Sequence, residues 1–443
     1  MPADMLKSIK TFFTARFTVM ALLLLFAASL TVANIVPQSG ALQPGGGMGQ
    51  PVAEASRSFL VNVLGLHHVF STWWFVALSA LFVISLLFST VEQFRISRAR
   101  MFQLPFGGGV VGGPCVLSAE QVQKLLGREG YRRFADGPGG TRYVKASVGH
   151  WGSFLLHFGM TLTVLCVLIY VLTEHRVIVR AVAGERIVLK EGGYAERRGL
   201  LGRSLPLPAA IALVRLEPEF WEEDQLKALT SNLVFFDRHN APRDIQVALS
   251  HKKPYRGLIV YQQSAFGNAF LLKFRGGPSG GFDKVLHLPM PPRRDRASYG
   301  TFPLDEGRYI LKAKYYANAD KSRIMPDTPQ LILRLYDGEQ FVAETSLSND
   351  QAVPLGPYTV RLAGINWWTD ILFEGSRGTA GIFTGFALLL CGGVLAFFIV
   401  PREVVLRRTE AGYTVSWRAT RFPEFYREEG DRILALCKGE EKR

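Results

Sequence analysis

Four stretches of the chain lack the polar stripe that a buried helix of a soluble protein carries. Phe17–Val36, Trp73–Val91, Trp151–Leu172 and Thr379–Val400 are dominated by apolar residues, and none holds Asp, Glu, Lys or Arg. Crossing the roughly 30 Å of bilayer hydrocarbon takes about 20 helical residues, so each stretch is long enough to span. Ser29, Thr31 and Asn34 interrupt the first, and His157 sits inside the third. The first apolar run exceeds the roughly 7–15 residues of a signal-peptide core. The chain then continues through Ile35-Val36-Pro37-Gln38 without a small-x-small cleavage site. It is expected to be a retained helix.

Between the third and fourth stretches the period changes from helical to twofold. Ala209–Leu216, Asp244–Leu249, Leu258–Gln263, Ala269–Phe274, Tyr309–Tyr315, Leu331–Tyr336 and Tyr358–Ala363 alternate in the manner of half-buried strands. Turn residues such as Arg275-Gly276-Gly277-Pro278 and Asp337-Gly338 punctuate them. This pattern predicts an antiparallel sandwich or barrel rather than βαβ units. Shorter signals flank the second and third stretches. Ser118 can cap a helix through Leu126, and Tyr131–Phe134 and Thr141–Val144 flank a turn at Asp136–Gly140 as a hairpin. Beyond the fourth stretch, Val404–Trp417 predicts a second hairpin and Phe422–Leu436 an amphipathic helix. The Gly-, Pro- and Ser-rich run through Gly45-Gly46-Gly47 predicts an irregular loop.

The net charge of +14 invites a nucleic-acid reading, but the cations follow the apolar stretches instead. Lys7, Lys10 and Arg16 precede the first, and the loop after it holds only Arg57. Arg95, Arg98, Arg100, Arg128, Arg132, Arg133, Arg142 and Lys145 follow the second, and Arg402, Arg407, Arg408, Arg418 and Arg421 follow the fourth. Cytoplasmic loops carry the excess of Lys and Arg. The expected order is therefore a cytoplasmic N-terminus (1–16), membrane helix 17–36, outer loop 37–72, membrane helix 73–91, and small cytoplasmic module 92–150. Membrane helix 151–172, an outer mainly-β domain 173–378, membrane helix 379–400 and a cytoplasmic tail 401–443 complete it. The basicity is thus topological, and no nucleic-acid partner is expected.

Cys115, Cys166, Cys391 and Cys437 are the only cysteines, and the outer domain has none to brace it. Without C-x-x-C or C-x-x-C-H, the chain has no vicinal dithiol and is not itself a c-type cytochrome. No phosphate-binding glycine loop, nucleophile elbow or metal-ligand cluster appears.

Several segments, in order, resemble one family. They are Phe17–Gln38 ending Ile-Val-Pro-Gln, Phe70–Ser89 with Phe-Ser-Thr-Trp-Trp-Phe and Leu-Leu-Phe-Ser, and Gly149–Gly159 as Gly-His-Trp-Gly-Ser-Phe-Leu-Leu-His-Phe-Gly. Lys253–Ser264 (Lys-Pro-Tyr-Arg-Gly-Leu-Ile-Val-Tyr-Gln-Gln-Ser) and Gly392–Arg402, leaving the last helix as Phe-Phe-Ile-Val-Pro-Arg, complete the set. This order resembles the ResB family of cytochrome c maturation proteins over nearly the whole chain. The resemblance implies a bacterial inner-membrane protein with its large domain in the periplasm. It also implies a partner, ResC (also called CcsA), with which the family exports haem and attaches it to apocytochrome c. A thioredoxin-like reductant of apocytochrome thiols and membrane lipid are further implied partners, and b-type, non-covalent haem in transit is the implied cofactor. The chain departs from the family at Ser250-His251-Lys252, where an Asn is frequent, and at Pro401-Arg402-Glu403, where a His often follows the Pro. Asn366-Trp367-Trp368-Thr369-Asp370 is only a superficial echo of the partner's Trp-rich signature and reads as an interfacial aromatic belt.

His157 is the informative residue, because an ionisable side chain inside a membrane helix is costly and faces protein or a cavity. Neutral imidazole is a haem-iron ligand, and the family's transmembrane ligand histidine matches this position. The competing reading is a histidine hydrogen-bonded to a neighbouring helix. His150-Trp151-Gly152 and His157-Phe158-Gly159 are seven residues apart, so both histidines would share one helix face while the glycines pack the other. His150 is a weaker candidate that could steer a propionate, or an ordinary interfacial histidine. His67 and His68, before the second helix, are weak candidates for meeting haem at the outer surface. His175, His239, His251 and His287 are expected at the surface. Three functions follow: a haem-handling subunit, a structural or apocytochrome-docking partner that binds no haem, and a membrane-anchored sensor. The last lacks any kinase, cyclase or DNA-binding signature.

Overall fold

The computed structural model describes residues 3–36, 64–102, 110–137, 140–190, 192–277, 280–347, 351–410 and 412–440. Seven α-helices occur among them: α1 (Ala3–Thr14), α2 (Arg16–Ile35), α3 (Trp73–Phe102), α4 (Ala119–Arg128), α5 (Gly152–Thr173), α6 (Thr379–Phe397) and α7 (Arg427–Cys437). Four of the helical segments are long and apolar enough to cross a membrane: 16–35, 73–102, 147–173 and 379–397. At 1.5 Å per residue, α3 reaches about 45 Å, well beyond the hydrocarbon thickness. Its charged end holds Glu92, whose carboxylate pairs with Lys10 of α1. Ser85 donates to the Phe13 carbonyl at 2.8 Å, a second tie between α3 and α1.

The chain divides into two compact units. One comprises residues 1–31, 73–170 and 378–443, and the other 32–72 and 171–377.

In the first unit α5 and α6 approach through glycine. A Cβ on Gly159 would lie 2.7 Å from Gly385 O and Leu389 N, and one on Gly152 would lie 2.4 Å from Ala396 N. From the other side, a Cβ on Gly392 would lie 2.4 Å from Leu156 N. Between apolar helices in lipid no hydrophobic effect drives association, so backbone proximity at small residues supplies the attraction. The glycine half of the seven-residue echo therefore does what the sequence implies.

A five-stranded antiparallel sheet completes this unit, in the order 110–115, 412–419, 402–409, 140–145, 132–137. The two hairpins anticipated from the turn residues are both present, but they form one sheet: Val404 pairs with Tyr143 on one side and Trp417 on the other. Val122 and Leu126 of α4 and Ile433 and Leu434 of α7 share its core with Tyr131, Tyr143, Val415 and Trp417. Ser118 caps α4 reciprocally with Gln121. The fold also brings Cys115 and Cys437 into this core, where the Val116 amide donates to the Cys437 carbonyl at 3.0 Å. Burial, reinforced by neighbouring Cys115, pushes the Cys437 thiol up to about 12. It therefore stays protonated at neutral pH and is a poor nucleophile.

The second unit is mainly β, with one seven-stranded and two four-stranded sheets, all their ladders antiparallel. Two long strands, Leu258–Gly276 and Tyr358–Gly375, pass through both of its cores. Leu258, Val260, Ile371 and Phe373 enter one hydrophobic core, whereas Phe270, Leu272, Val360 and Leu362 enter a second. The alternating runs 258–263 and 269–274 are thus halves of one strand, joined across a register shift between Gln262 and Phe266. That pairing also relocates the tryptophans. Trp368 is buried, donates Nε1–H to the Leu288 carbonyl at 3.0 Å, and lies under the Arg180 guanidinium, itself bonded twice to Asp370 at 2.9 Å. About 23 Å of strand separates Trp368 from the strand's end at Gly375. Trp368 is packed inside the β-rich unit and Trp367 lies partly buried against one of its cores, rather than forming an exposed aromatic belt. His175 is likewise buried, between Glu196 and the Arg203 carbonyl, rather than at the surface.

Candidate functional site

His157 lies in the second turn of α5, and its ring meets α3. Ser89 Oγ stands 3.3 Å from His157 Nδ1. The backbone at this level is tied to the same helix. Thr161 Oγ1 donates to the His157 carbonyl at 2.8 Å, and Thr90 Oγ1, 3.2 Å from that carbonyl, donates to Thr161 Oγ1 at 2.7 Å. Where water is excluded, hydroxyls find carbonyls and one another, so this polar knot between α3 and α5 is satisfied without the imidazole.

The ring itself is lightly held. Among the described residues no hydrogen bond other than the Ser89 contact reaches it. In the tautomer whose Nδ1–H donates to Ser89, Nε2 keeps a lone pair, which is the form a metal takes. Flat side chains crowd the same stretch of helix. Phe154 stacks on Phe158 with centroids 5.7 Å apart, and Phe94 and Trp151 meet Phe154 at 5.2 and 5.8 Å. Among the described residues no three His, Cys, Asp or Glu side chains gather as a metal site.

The structure separates His150 from this group. It falls in a 3-10 turn, Ser147–Trp151, before α5 begins, so the seven-residue echo does not put the two imidazoles on one α-helical face. Gly149 lets this turn approach the Ile399 carbonyl, since a Cβ there would lie 1.8 Å from it. His150 is buried, with Nε2 3.3 Å from Glu403 Oε1 and 3.4 Å from Arg142 Nη2. Arg142 pairs with the same carboxylate and donates to the Arg100 carbonyl at 2.6 Å, while Arg418 reaches Glu403 Oε2 at 2.7 Å. Burial alone would raise the Glu403 carboxyl. The His150 hydrogen bond and the Arg142 and Arg418 charges outweigh it and hold the group at about 2. This cluster ties the third and fourth apolar segments to the small sheet. His150 has a structural post there.

His67 and His68 fall in the 3-10 turn Leu66–Ser71, ahead of α3; their side chains lie outside the described residues. Sequence reasoning passed over Ser89, Thr90 and Thr161. Their signal was present, since Thr161 is one helical turn from His157 and Ser89-Thr90 is a hydroxyl pair inside an apolar run. Glu403 gave none, because Arg142 and His150 lie more than 250 residues away and Arg418 reaches it only across a hairpin.

Comparison with known proteins gives these residues a setting. Cytochrome c biogenesis protein CcsB of a Synechococcus species is 24% identical over 408 residues, covering 84% of this chain and 79% of its own length. The CcsB protein of Microcystis aeruginosa is 22% identical over 353 residues, 76% of this chain and 74% of its own. The model of the ResB-like family matches residues 16–364, through the first three apolar segments and most of the β-rich unit. The chain belongs to the ResB-like family.

Proposed function

We propose that this protein is the haem-handling subunit of a cytochrome c maturation complex, working with a CcsA-type (ResC) membrane partner to deliver haem for attachment to apocytochrome c. The observation that carries the reading is His157, an imbedded imidazole whose Nε2 is engaged by no described residue while the hydroxyls around it satisfy one another. Neutral imidazole supplies an axial nitrogen to haem iron. His157 would give one such nitrogen from α5, with the second from the partner, since the described residues offer none beside it. The names of the CcsB relatives support the maturation role. The cation distribution supports an orientation with the small sheet and both termini in the cytoplasm and the β-rich unit in the periplasm. There the latter would dock apocytochrome c after a thioredoxin-like protein has reduced its thiols.

His157→Gly and His157→Ala, co-purified with the partner, are expected to lose most of the bound haem and to stop cytochrome c maturation. Added imidazole is expected to restore both partly for His157→Gly, by entering the space the side chain vacates. Full haem content with an unchanged Soret band in both variants would reject the ligand role and favour a subunit that docks apocytochrome without binding haem. Orientation has its own check. Reporter fusions after Arg100 and Val404 are expected to report cytoplasm and one at Gly276 the periplasm. An outer signal after Arg100 would reverse the arrangement.

A further inference from the structure

The tail of the chain sends one guanidinium back to the helix that carries His157. Arg421 donates from Nη1 to the Ala396 carbonyl at 2.6 Å and from Nη2 to Ser153 Oγ. Ser153 is four residues before His157, one turn along α5 and on the same side of it, about 6 Å along the axis. Phe422, which follows Arg421, has φ 48°, a left-handed conformation that bulky residues rarely adopt and that persists only where surroundings impose it. The turn thus holds Arg421 against α5 at a cost in backbone strain.

Arg421 is also short of negative charge. Among the described residues no carboxylate comes within ion-pair distance of it, and none reaches Arg100. Glu403, the buried acid nearby in the fold, is taken by Arg142, His150 and Arg418. Burial and the charge of Arg100 both push the Arg421 guanidinium below its ordinary range. A half-buried cation answered only by neutral oxygens is an incomplete arrangement, and an anion would complete it. A guanidinium offers five N–H donors in a planar fork suited to carboxylates, and two neutral acceptors leave donors over.

We infer that Arg421 binds a propionate carboxylate of the haem whose iron His157 takes, with Arg100 adding positive charge at the same helix end. The inference rests on the function proposed above. Haem carries its carboxylates on one edge, several bonds from the iron. A site with its imidazole and its guanidinium one helical turn apart on α5 would fix which edge points toward the small sheet.

The test uses the full chain purified with its partner, stripped of haem and titrated with either haem or haem dimethyl ester, in which both propionates are neutral. The Soret band reports iron ligation. The wild type is expected to prefer free-acid haem by about tenfold, the scale of one hydrogen bond to a charged group. Arg421→Gln is expected to bring that preference close to unity at unchanged ester affinity and Soret position, because the imidazole is intact. Retention of the full preference by Arg421→Gln would overturn the inference. If Arg421→Gln also loses ester binding, Arg421→Met carries the test, since it keeps much of the side-chain bulk without charge or donors. A reduced preference at unchanged ester affinity supports the assignment, and an unchanged preference refutes it. His157→Ala separates the two ideas. An unaltered spectrum in that variant rejects the ligand reading, whereas Arg421 is judged by ester discrimination alone. A lipid phosphate is the other candidate anion. If phosphatidylglycerol nanodiscs stabilise the wild type over phosphatidylcholine ones, and Arg421→Gln abolishes that stabilisation while keeping ester discrimination, the guanidinium serves lipid and the inference fails.

Discussion

His150 and His157 are seven residues apart, yet one is bound into a charged network and the other is nearly unengaged. His150 is buried against Glu403 and Arg142, with Arg418 on the far oxygen of the same carboxylate. The His157 ring makes a single 3.3 Å contact to a hydroxyl of a neighbouring apolar helix. In the first environment one carboxylate answers three partners, and deleting Glu403 strands them. The second leaves a nitrogen over. An imidazole is costly in a membrane-spanning helix, and the Thr90–Thr161 pair already ties α3 to α5. Helix association therefore does not account for His157, whereas anchoring of the small sheet accounts for His150. The contrast separates a histidine kept for the fold from one available for a ligand.

The largest expected effect tests the first half of that contrast. Glu403→Gln leaves Arg142, Arg418 and His150 facing a neutral amide, and breaking a buried pair by removing one partner costs about 3–5 kcal/mol. The cluster should also write itself into the pH dependence. The folded Glu403 titrates near 2 against an ordinary 4.5. Its contribution is therefore fully present above about pH 4.5 and is lost as the pH falls toward 2, an amount on the order of 3 kcal/mol. Thermal unfolding in detergent across pH, followed by circular dichroism, reports both quantities. A Glu403→Gln protein with the wild-type midpoint and the same acid limb would show that the cluster is dispensable.

The next effect is smaller and reads both histidines at once. His150→Ala is expected to lower stability by about 1–3 kcal/mol, the cost of leaving buried polar partners unsatisfied, with the haem spectrum retained. His157→Ala is expected to leave the unfolding midpoint within about 1 kcal/mol while removing the haem. If both variants lose stability and haem together, the two environments are one site and the contrast fails.

The half of this contrast that was legible in the sequence is the half written locally. An ionisable residue inside an apolar run announces itself, as does the glycine spacing that packs α5 on α6. The hairpins at 132–145 and 402–419 were marked by their turn residues and by alternation. What joins them, the register Val404 to Tyr143, depends on pairing across more than half the chain, and no local pattern encodes it. The same holds for Arg142 with Glu403 and for Ser153 with Arg421. The 3-10 turn at His150 escaped periodicity because a seven-residue echo presumes unbroken α-helix, whereas Ser147–Trp151 is a 3-10 turn. Trp367 and Trp368 were misplaced for the opposite reason. Local aromatic composition suits a membrane interface, but the strand that carries them passes through the β-rich core.

The smallest expected effect concerns how His157 is oriented. A metal-binding histidine usually donates its other ring N–H to a fixed acceptor, and loss of that acceptor costs roughly 10–100-fold in affinity. Ser89 is a neutral acceptor at 3.3 Å, longer than the usual hydrogen-bond distance, so the low end applies. Ser89→Ala is expected to weaken haem binding about tenfold, with the Soret band broadened by a ring no longer fixed in one tautomer. Ser89→Thr keeps an oxygen at the same place and is expected to bind within about threefold of wild type, since only the geometry of a weak bond changes. Neither variant should move the unfolding midpoint appreciably, because Thr90 and Thr161 continue to hold α3 to α5. If Ser89→Ala binds haem as the wild type does, the hydroxyl is a bystander and the helix alone sets the ring. If it loses haem as completely as His157→Ala, the serine is itself part of the site.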